Sequence, residues 1–597
     1  MNLTYRSSKK DRIKAQIENQ TYDLTVLKSL YKYVTGVGAP ADSTQVSLIA
    51  FFSTLTSSAT GLNCVATGDH AHAEGNDTYA LGTTSHAEGT ATVASGNFSH
   101  TEGFNTIASN YNSHAEGNET TASGMTSHAE GETTNASGAY SHSEGLSTTA
   151  SSTGSHAEGN LSNASGESSH AEGLSTLASG GQAHAEGNTT IASNYYAHAE
   201  GSGTNASGSA SHAEGIDTGA SGSASHAEGE STVASGEDAH AEGNGTTASG
   251  EVSHAEGSTT TASGHSAHSE GNSTTAYGDS AHAEGNSTDA SGESSHAEGY
   301  HSVASGVKSH AEGEATTASG DYSHAEGSTT IASNYYTHAE GHATTASGLS
   351  SHAEGGSSNA SGDYSHAEGS TTTASGLASH AEGNATIASG DISHAEGSDT
   401  TASGVKSHAE GGETIASGFK SHAEGSEANA SGGTSHAEGN ATIASNYYAH
   451  AEGNETIASG ISSHASGSFA VASGAASFAG GKGYNATNKQ EAAGVATFVF
   501  QEVSSTAGVK KAEAANSAIL GGKDNTTSAA ALRSVVLGGS GQAATLPDTV
   551  YLPQMKLKPV ALPTGLVAGD AGLICCDSAD ANKMKYWNGT IWVTMSV

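Results

Sequence analysis

Proline is nearly missing from this chain: five occur in 597 residues, and none lies between Pro40 and Pro547. Proline removes a backbone donor, so the gap marks a stretch in which no N–H can be spared from a hydrogen-bonded ladder. Cysteine is scarcer still, with only Cys64, Cys575 and Cys576. Three cysteines, two of them adjacent, exclude a disulfide framework. Aromatic residues make up 5% and all hydrophobic residues 34%, against roughly 45–50% apolar in an ordinary globular chain. A large Leu/Ile/Phe core is therefore excluded over most of the length. Charged residues, at 14%, are too few for the highly charged disordered class. Twenty basic residues against 61 acidic ones give a formal −41, which disfavours a nucleic-acid-binding surface. No run of ~18 apolar residues exists, so we expect no membrane insertion as a helix. The opening MNLTYRSSKKDRIK lacks an apolar h-region, and we expect no secretory signal there.

What the chain has is glycine, 79 of them, and a period. A histidine recurs every 14 residues from His72 to His464, 29 in phase, and only His70, His265, His301 and His342 fall outside. The unit reads S-H-A-E-G-x-x-T-x-A-S-G-x-x, two seven-residue halves of one design. A fixed period of this kind is the mark of a solenoid. Each half predicts a five-residue strand ending in a turn. Alternation puts Ser85 and Ala87 on one face, with Thr92 and Ala94 pointing the same way, while His86 and Glu88 take the other. An alanine kept at Ala80, Ala94 and Ala108 through Ala472 fits only a narrow interior. Glycine follows the Glu position in every unit, and the second-half glycine gives way to Asn110, Asn194, Asn334, Asn446 and once to Ser152. Asn tolerates φ > 0 best among non-glycines, so these turns are expected to need a left-handed residue.

The fold expected is all-β: a parallel β-roll of about 29 fourteen-residue coils over residues 63–480, stacked at ~4.8 Å into a rod of roughly 140 Å. A two-stranded coil with so small an interior buries little apolar surface and should associate along its length. The S-H-A-E-G-x-x units resemble the 14-residue repeats of the YadA-like head of trimeric autotransporter adhesins. The resemblance implies a left-handed parallel β-roll, three chains side by side. That family's signal peptide and C-terminal β-barrel anchor have no counterpart here, so we expect something other than an autotransporter.

Stacked coils turn the histidines into a column, with the glutamates Glu74 to Glu452 in another beside it. At ~4.8 Å spacing, like charges repel by about 3–4 kcal/mol at an effective dielectric of about 20. The columns must therefore titrate as a coupled set or pair with each other. Phe478 takes the His slot in the last coil, and a slot that accepts Phe reads as buried. The ladder, represented by His86, Glu88, His254, Glu256, His436, Glu438 and Phe478, is thus expected at a homotrimer interface, the alternative being a comb in water. Catalysis is not expected from 29 identical copies, and no cofactor is implied. Metal ligation is the sharper reading, but every level cannot hold a dication ~4.8 Å from the next, so no metal is assigned.

The ends differ in kind. Residues 1–62 carry Lys9, Lys10, Arg12 and Lys14, then Ile13, Ile17, Leu24, Leu27 and Tyr31 at helical spacing, with Asp42 placed to cap a second short helix. They read as an attachment segment. Cys64 takes an inward Thr slot as a small buried thiol. Residues 481–563 are a transition in which the period decays into Ser517–Gly522 and Ser534–Gly539, followed by a TVYLPQ strand. That series resembles distal segments of bacteriophage tail fibres. Residues 564–597 predict a small β tip, with a strand at Leu573–Cys576 and a type I′ hairpin on Asn588-Gly589. Its Tyr586, Trp587 and Trp592 are core or a receptor-binding surface. The resemblances imply a tail fibre of the virion: a homotrimer joined to a tail or baseplate protein through residues 1–62, with the tip on a host cell-surface glycan or protein. A cellular adhesin and a tip-borne glycan depolymerase are the alternatives.

Overall fold

The computed structural model describes residues 57–506, 508–552, 574–577, 583–588 and 590–595, with Lys28 and Lys32. The helical reading of residues 1–56 otherwise lies outside the described residues. The chain divides into two compact units, Met1–Tyr336 and Thr337–Val597. Both contain a parallel β-solenoid. In the first, twenty long strands run from Ser58–Leu62 to His324–Ser328, and in the second, fifteen run from His338–His342 to Val550–Tyr551. Each long strand alternates along the chain with a short one, such as Val93–Ala94 or Thr373–Ala374.

Register is set by the repeat. His86 to Thr90 pairs residue for residue with His72 to Asn76, and Ala80 pairs with Ala94. The bonds do not stop at the strand ends. His86 N–H donates to Ser99 O at 2.9 Å, and in the turns Ala91 N–H donates back to Asn76 O at 2.9 Å and Phe98 N–H to Thr83 O at 2.8 Å. A proline at these positions would break a rung, which accounts for the proline gap. The interior is as small as expected: Ser85, Ala87, Thr92 and Ala94 are all at most 1% exposed, and alanine recurs there coil after coil. The inward serine also closes a turn, since Ser85 Oγ donates to Gly82 O at 2.7 Å and Ser99 Oγ to Gly96 O at 2.6 Å.

The structure corrects several expectations. The two halves are unequal: five residues are strand in the first (His86–Thr90) and two in the second (Val93–Ala94). The turns do hold a left-handed residue, as expected, but it is not the second-half glycine. The left-handed residue comes two positions later and is usually not glycine, as at Thr84 (φ 55°), Phe98 (φ 59°) and Val252 (φ 57°). Such a residue costs about 1–2 kcal/mol, offset by the coil-to-coil bond its N–H makes. Glycine is demanded by close approach instead: a Cβ on Gly96 would stand 1.8 Å from Asn110 O. Where Asn fills the slot it works through its amide. Asn110 N–H turns to Ser113 Oγ, Asn110 Nδ2 donates to Ser123 O at 3.1 Å, and Tyr111 N–H donates to Asn110 Oδ1 at 2.8 Å.

The solenoid also exceeds the expected 29 coils and the bounds 63–480. Ser58–Leu62 already pairs with His72–Asn76, because Ala59 and Gly61 keep the pattern. At the other end the transition region is still solenoid: Phe478–Lys482 pairs with Phe498–Glu502, then with Ala518–Lys523, Val535–Leu537 and Val550–Tyr551 in turn. These coils are longer, and their interior grows to Val499, Ile519 and Val536, all fully buried. Cys64 packs against the alanine core as expected, but only half-buried, donating to Gly75 O at 3.2 Å. The tip is a three-stranded antiparallel sheet, Ile574–Asp577, Lys583–Trp587 and Trp592–Thr594. No helix of the described residues is long and apolar enough to cross a membrane.

Two glycines separate conformation from mere smallness. Gly257 has φ +108° and an added Cβ would meet Gly271 O at 2.1 Å, whereas Gly219 has open space. Gly257→Ala should cost about 1–3 kcal/mol locally, and Gly219→Ala should cost nothing measurable. Amide hydrogen exchange across residues 240–275 and 205–235 checks both.

Candidate functional site

Among the described residues, the outward face of the long strands carries titratable side chains that repeat coil after coil. Period-2 alternation sends His and Glu of each S-H-A-E-G strand to this face, and the 14-residue register stacks them. In the first unit the rings lie face to face: His100 and His114 are 4.7 Å apart at 6°, and His142 and His156 4.7 Å apart at 4°. The second unit repeats this, with His366 and His380 at 4.7 Å and 1°.

Each imidazole points its Nε2 along its own strand toward the glutamate two residues on. The Nε2–Oε2 distance is 3.6 Å for His86–Glu88 and 3.5 Å for His254–Glu256. In coils such as those of His114, His254 and His366 the Nε2 is buried and makes no hydrogen bond. His436 keeps the stack, 4.8 Å from His450, while Glu438 is exposed. A shallow groove follows the carboxylates Glu116, Glu130, Glu144, Glu158 and Glu172.

The expectation that His and Glu point out of the coil therefore holds, and within one chain the ladder is half-exposed. Phe478 continues it, with its ring 5.1 Å from His464 and 4.6 Å from Phe498. Within one chain Phe478 is half-buried, as the histidines before it are. Sequence reasoning missed the rest of this run. In the final coils the His slot passes to Phe498 and Val550 and the Glu slot to Phe500, Leu520 and Leu537. All five are exposed, Phe500 at 53% and Val550 at 57%. The signal was available in the alternation of Phe498-Val499-Phe500.

At the tip, Trp587 and Trp592 are cross-strand partners with ring centroids 5.8 Å apart. Tyr586 pairs with Val593 and so belongs to the opposite face; the three candidate receptor-binding residues do not form one surface. The hairpin also differs from the two-residue type I′ expectation. Trp587 pairs with Trp592, and Asn588 closes the turn through its side chain, Oδ1 accepting from Thr590 N–H at 2.9 Å and Ile591 N–H at 2.8 Å. No family model matches the chain, and no curated protein matches it in sequence.

The ladder's electrostatics follow from crowding. Burial, then the neighbouring imidazoles, hold His86, His128 and His254 below the ordinary histidine range, and His352 is brought down to about 4. Hydrogen bonding to Glu144, then burial, pushes Glu130 and Glu158 up to about 7, and the same bonds hold Glu144 below its usual range. The two effects oppose each other in pH dependence. A histidine whose folded pKa is lowered binds its proton more readily when unfolded, so its contribution is lost as pH falls from about 6.5 toward 4. Glu130 and Glu158 instead lose their contribution as pH rises through 7. Fifteen histidines are lowered against two glutamates raised to about 7, so histidine prevails. Thermal melts followed by circular dichroism should give a lower midpoint at pH 4.5 than at pH 7.5; an equal or higher midpoint at pH 4.5 contradicts this.

Proposed function

We propose that the chain is a structural and adhesive fibre protein that works as a homotrimer, of the bacteriophage tail-fibre type. The observation that carries this reading is the exposed apolar run Phe498, Phe500, Leu520, Leu537 and Val550, in the same columns that hold His and Glu upstream. Contiguous exposed apolar surface marks a place for a partner. A run that follows the coils is covered best by a second and third copy in the same register. Burying a Phe or Leu there contributes roughly 1.5–3 kcal/mol, which offsets what the small interior lacks.

On this reading the repeat array is a spacer. Its register passes from coil to coil without interruption within each unit, and its columns offer the same chemistry at every level. Residues 1–62 join a tail or baseplate protein of the virion. The tip contacts a host cell-surface glycan or protein, with the Trp587–Trp592 pair as the candidate contact. Three tips per fibre multiply a weak affinity through effective concentration. The excess of acid over base keeps the array from adhering to nucleic acid.

Immunogold electron microscopy with an antibody to residues 564–597 tests the function. Gold at the free ends of fibres on phage particles is expected, and gold on uninfected cell surfaces supports a cellular adhesin instead. Sedimentation equilibrium tests the association: a trimer is expected for the intact chain, and Leu520→Asp should weaken it by roughly 2 kcal/mol or more per chain. A monomeric intact chain overturns the homotrimer.

A further inference from the structure

The distance between His Nε2 and Glu Oε2 varies along the ladder, from 3.2 Å at His72–Glu74 to 4.0 Å at His394–Glu396. It is 3.4 Å at His114–Glu116, 3.5 Å at His128–Glu130 and at His170–Glu172, and 3.4 Å at His296–Glu298. These nitrogens are buried and make no hydrogen bond. Two ligands at ~2.0 Å from one tetrahedral ion stand ~3.3 Å apart. In these coils the imidazole and carboxylate are already spaced as two ligands of one ion, and in coils such as those of His366 and His394, at 3.8 and 4.0 Å, they need only close on it. The next coil supplies a third: in His114, Glu116 and His128 one ligand atom from each lies within 4.8 Å of the others, as in His156, Glu158 and His170 and in His198, Glu200 and His212. The remaining movement is small. Tilting two stacked rings toward each other brings their Nε2 atoms from ~4.7 Å to the ~3.3 Å an ion needs.

The geometry points to a ladder of transition-metal sites of the zinc class, one ion for every two coils. Each ion is held by Nε2 of two successive histidines and a carboxylate oxygen of the glutamate beside them. The half occupancy follows from chemistry. His128 belongs to the trio with His114 and to the trio with His142, and its Nε2 has one lone pair to give, with the ring proton on Nδ1. Occupied trios must therefore alternate. Charge gives the same ratio, since one dication balances two glutamates while the histidines remain neutral. Ions then sit ~9.5 Å apart rather than ~4.8 Å, and the repulsion that forbids filling every level is relieved. Two imidazoles and a carboxylate form a borderline donor set that suits zinc better than calcium or magnesium, which prefer oxygen throughout. The sites are built within one chain, so they do not rest on the homotrimer.

The test uses the full chain, stripped with chelator and dialysed against Zn2+ at pH 7.5, with bound metal read by mass spectrometry. Uptake should saturate near about 14 ions per chain, nine from the first unit's column and five from the second's. X-ray absorption should show about two imidazole nitrogens per zinc. Substituting His366→Gln, His380→Gln, His394→Gln and His408→Gln together should remove two ions. Saturation at only a few ions, zinc with one imidazole or none, or uptake unchanged in the fourfold variant would each overturn the proposal. The absorption measurement on the unaltered chain decides the matter even where that variant fails to fold. Sedimentation of the same samples reads association separately, so failure of the metal sites is distinguishable from failure of the trimer.

Discussion

The backbone hydrogen bond from one coil to the next is the interaction on which the rest of this structure depends. It runs through strands and turns alike, so that Ala91 N–H and His86 N–H both reach a neighbouring coil. Each other feature serves it. Glycine stands where a side chain would collide with the next coil's carbonyl, as at Gly96. Non-glycine residues such as Phe98 accept a left-handed backbone because only that conformation aims their N–H at the coil behind. The strain is recurrent, and so is the bond that compensates it.

The second constraint is size. Ser, Ala and Thr fill the interior, so the coils come close enough to bond all round, yet little apolar area is removed from water. Within one chain, stability must then come from length and from the backbone ladder. The C-terminal coils depart from this economy. They are longer, they bury Val499, Ile519 and Val536, and they expose Phe500 and Leu537. The same sheet face thus passes from a polar ladder to an apolar one. We read the change as one continuous chain-to-chain surface, adjustable by charge upstream and fastened by hydrophobic burial near its end.

Much of this was legible in the sequence because a 14-residue period leaves little freedom. The solenoid, the inward Ser85 and Ala87 and the outward His86 and Glu88 all follow from period-2 alternation within a fixed repeat. The turns were harder, because composition reports which residue is present and not what excludes a side chain. The turns hold the left-handed residue expected, but at Thr84 and Phe98; Gly82 and Gly96 are demanded by contact, and Asn110 replaces glycine by hydrogen bonding rather than by φ. The solenoid's C-terminal reach was hidden because its coils lengthen to 20 residues, from Phe478 to Phe498 and again to Ala518, which breaks the numerical period while the strands still pair, with one register shift between Phe500 and Glu502. Tyr586 could have been separated from Trp587 and Trp592, but only once the hairpin's pairing was known.

We propose that copies of this chain meet on the long-strand face. Electron cryomicroscopy of the purified protein tests it most directly. Three copies are expected in each cross-section, with the His/Glu and Phe500–Leu537 columns turned toward a common axis. Single-chain particles, or assemblies with those columns turned to solvent, would contradict it.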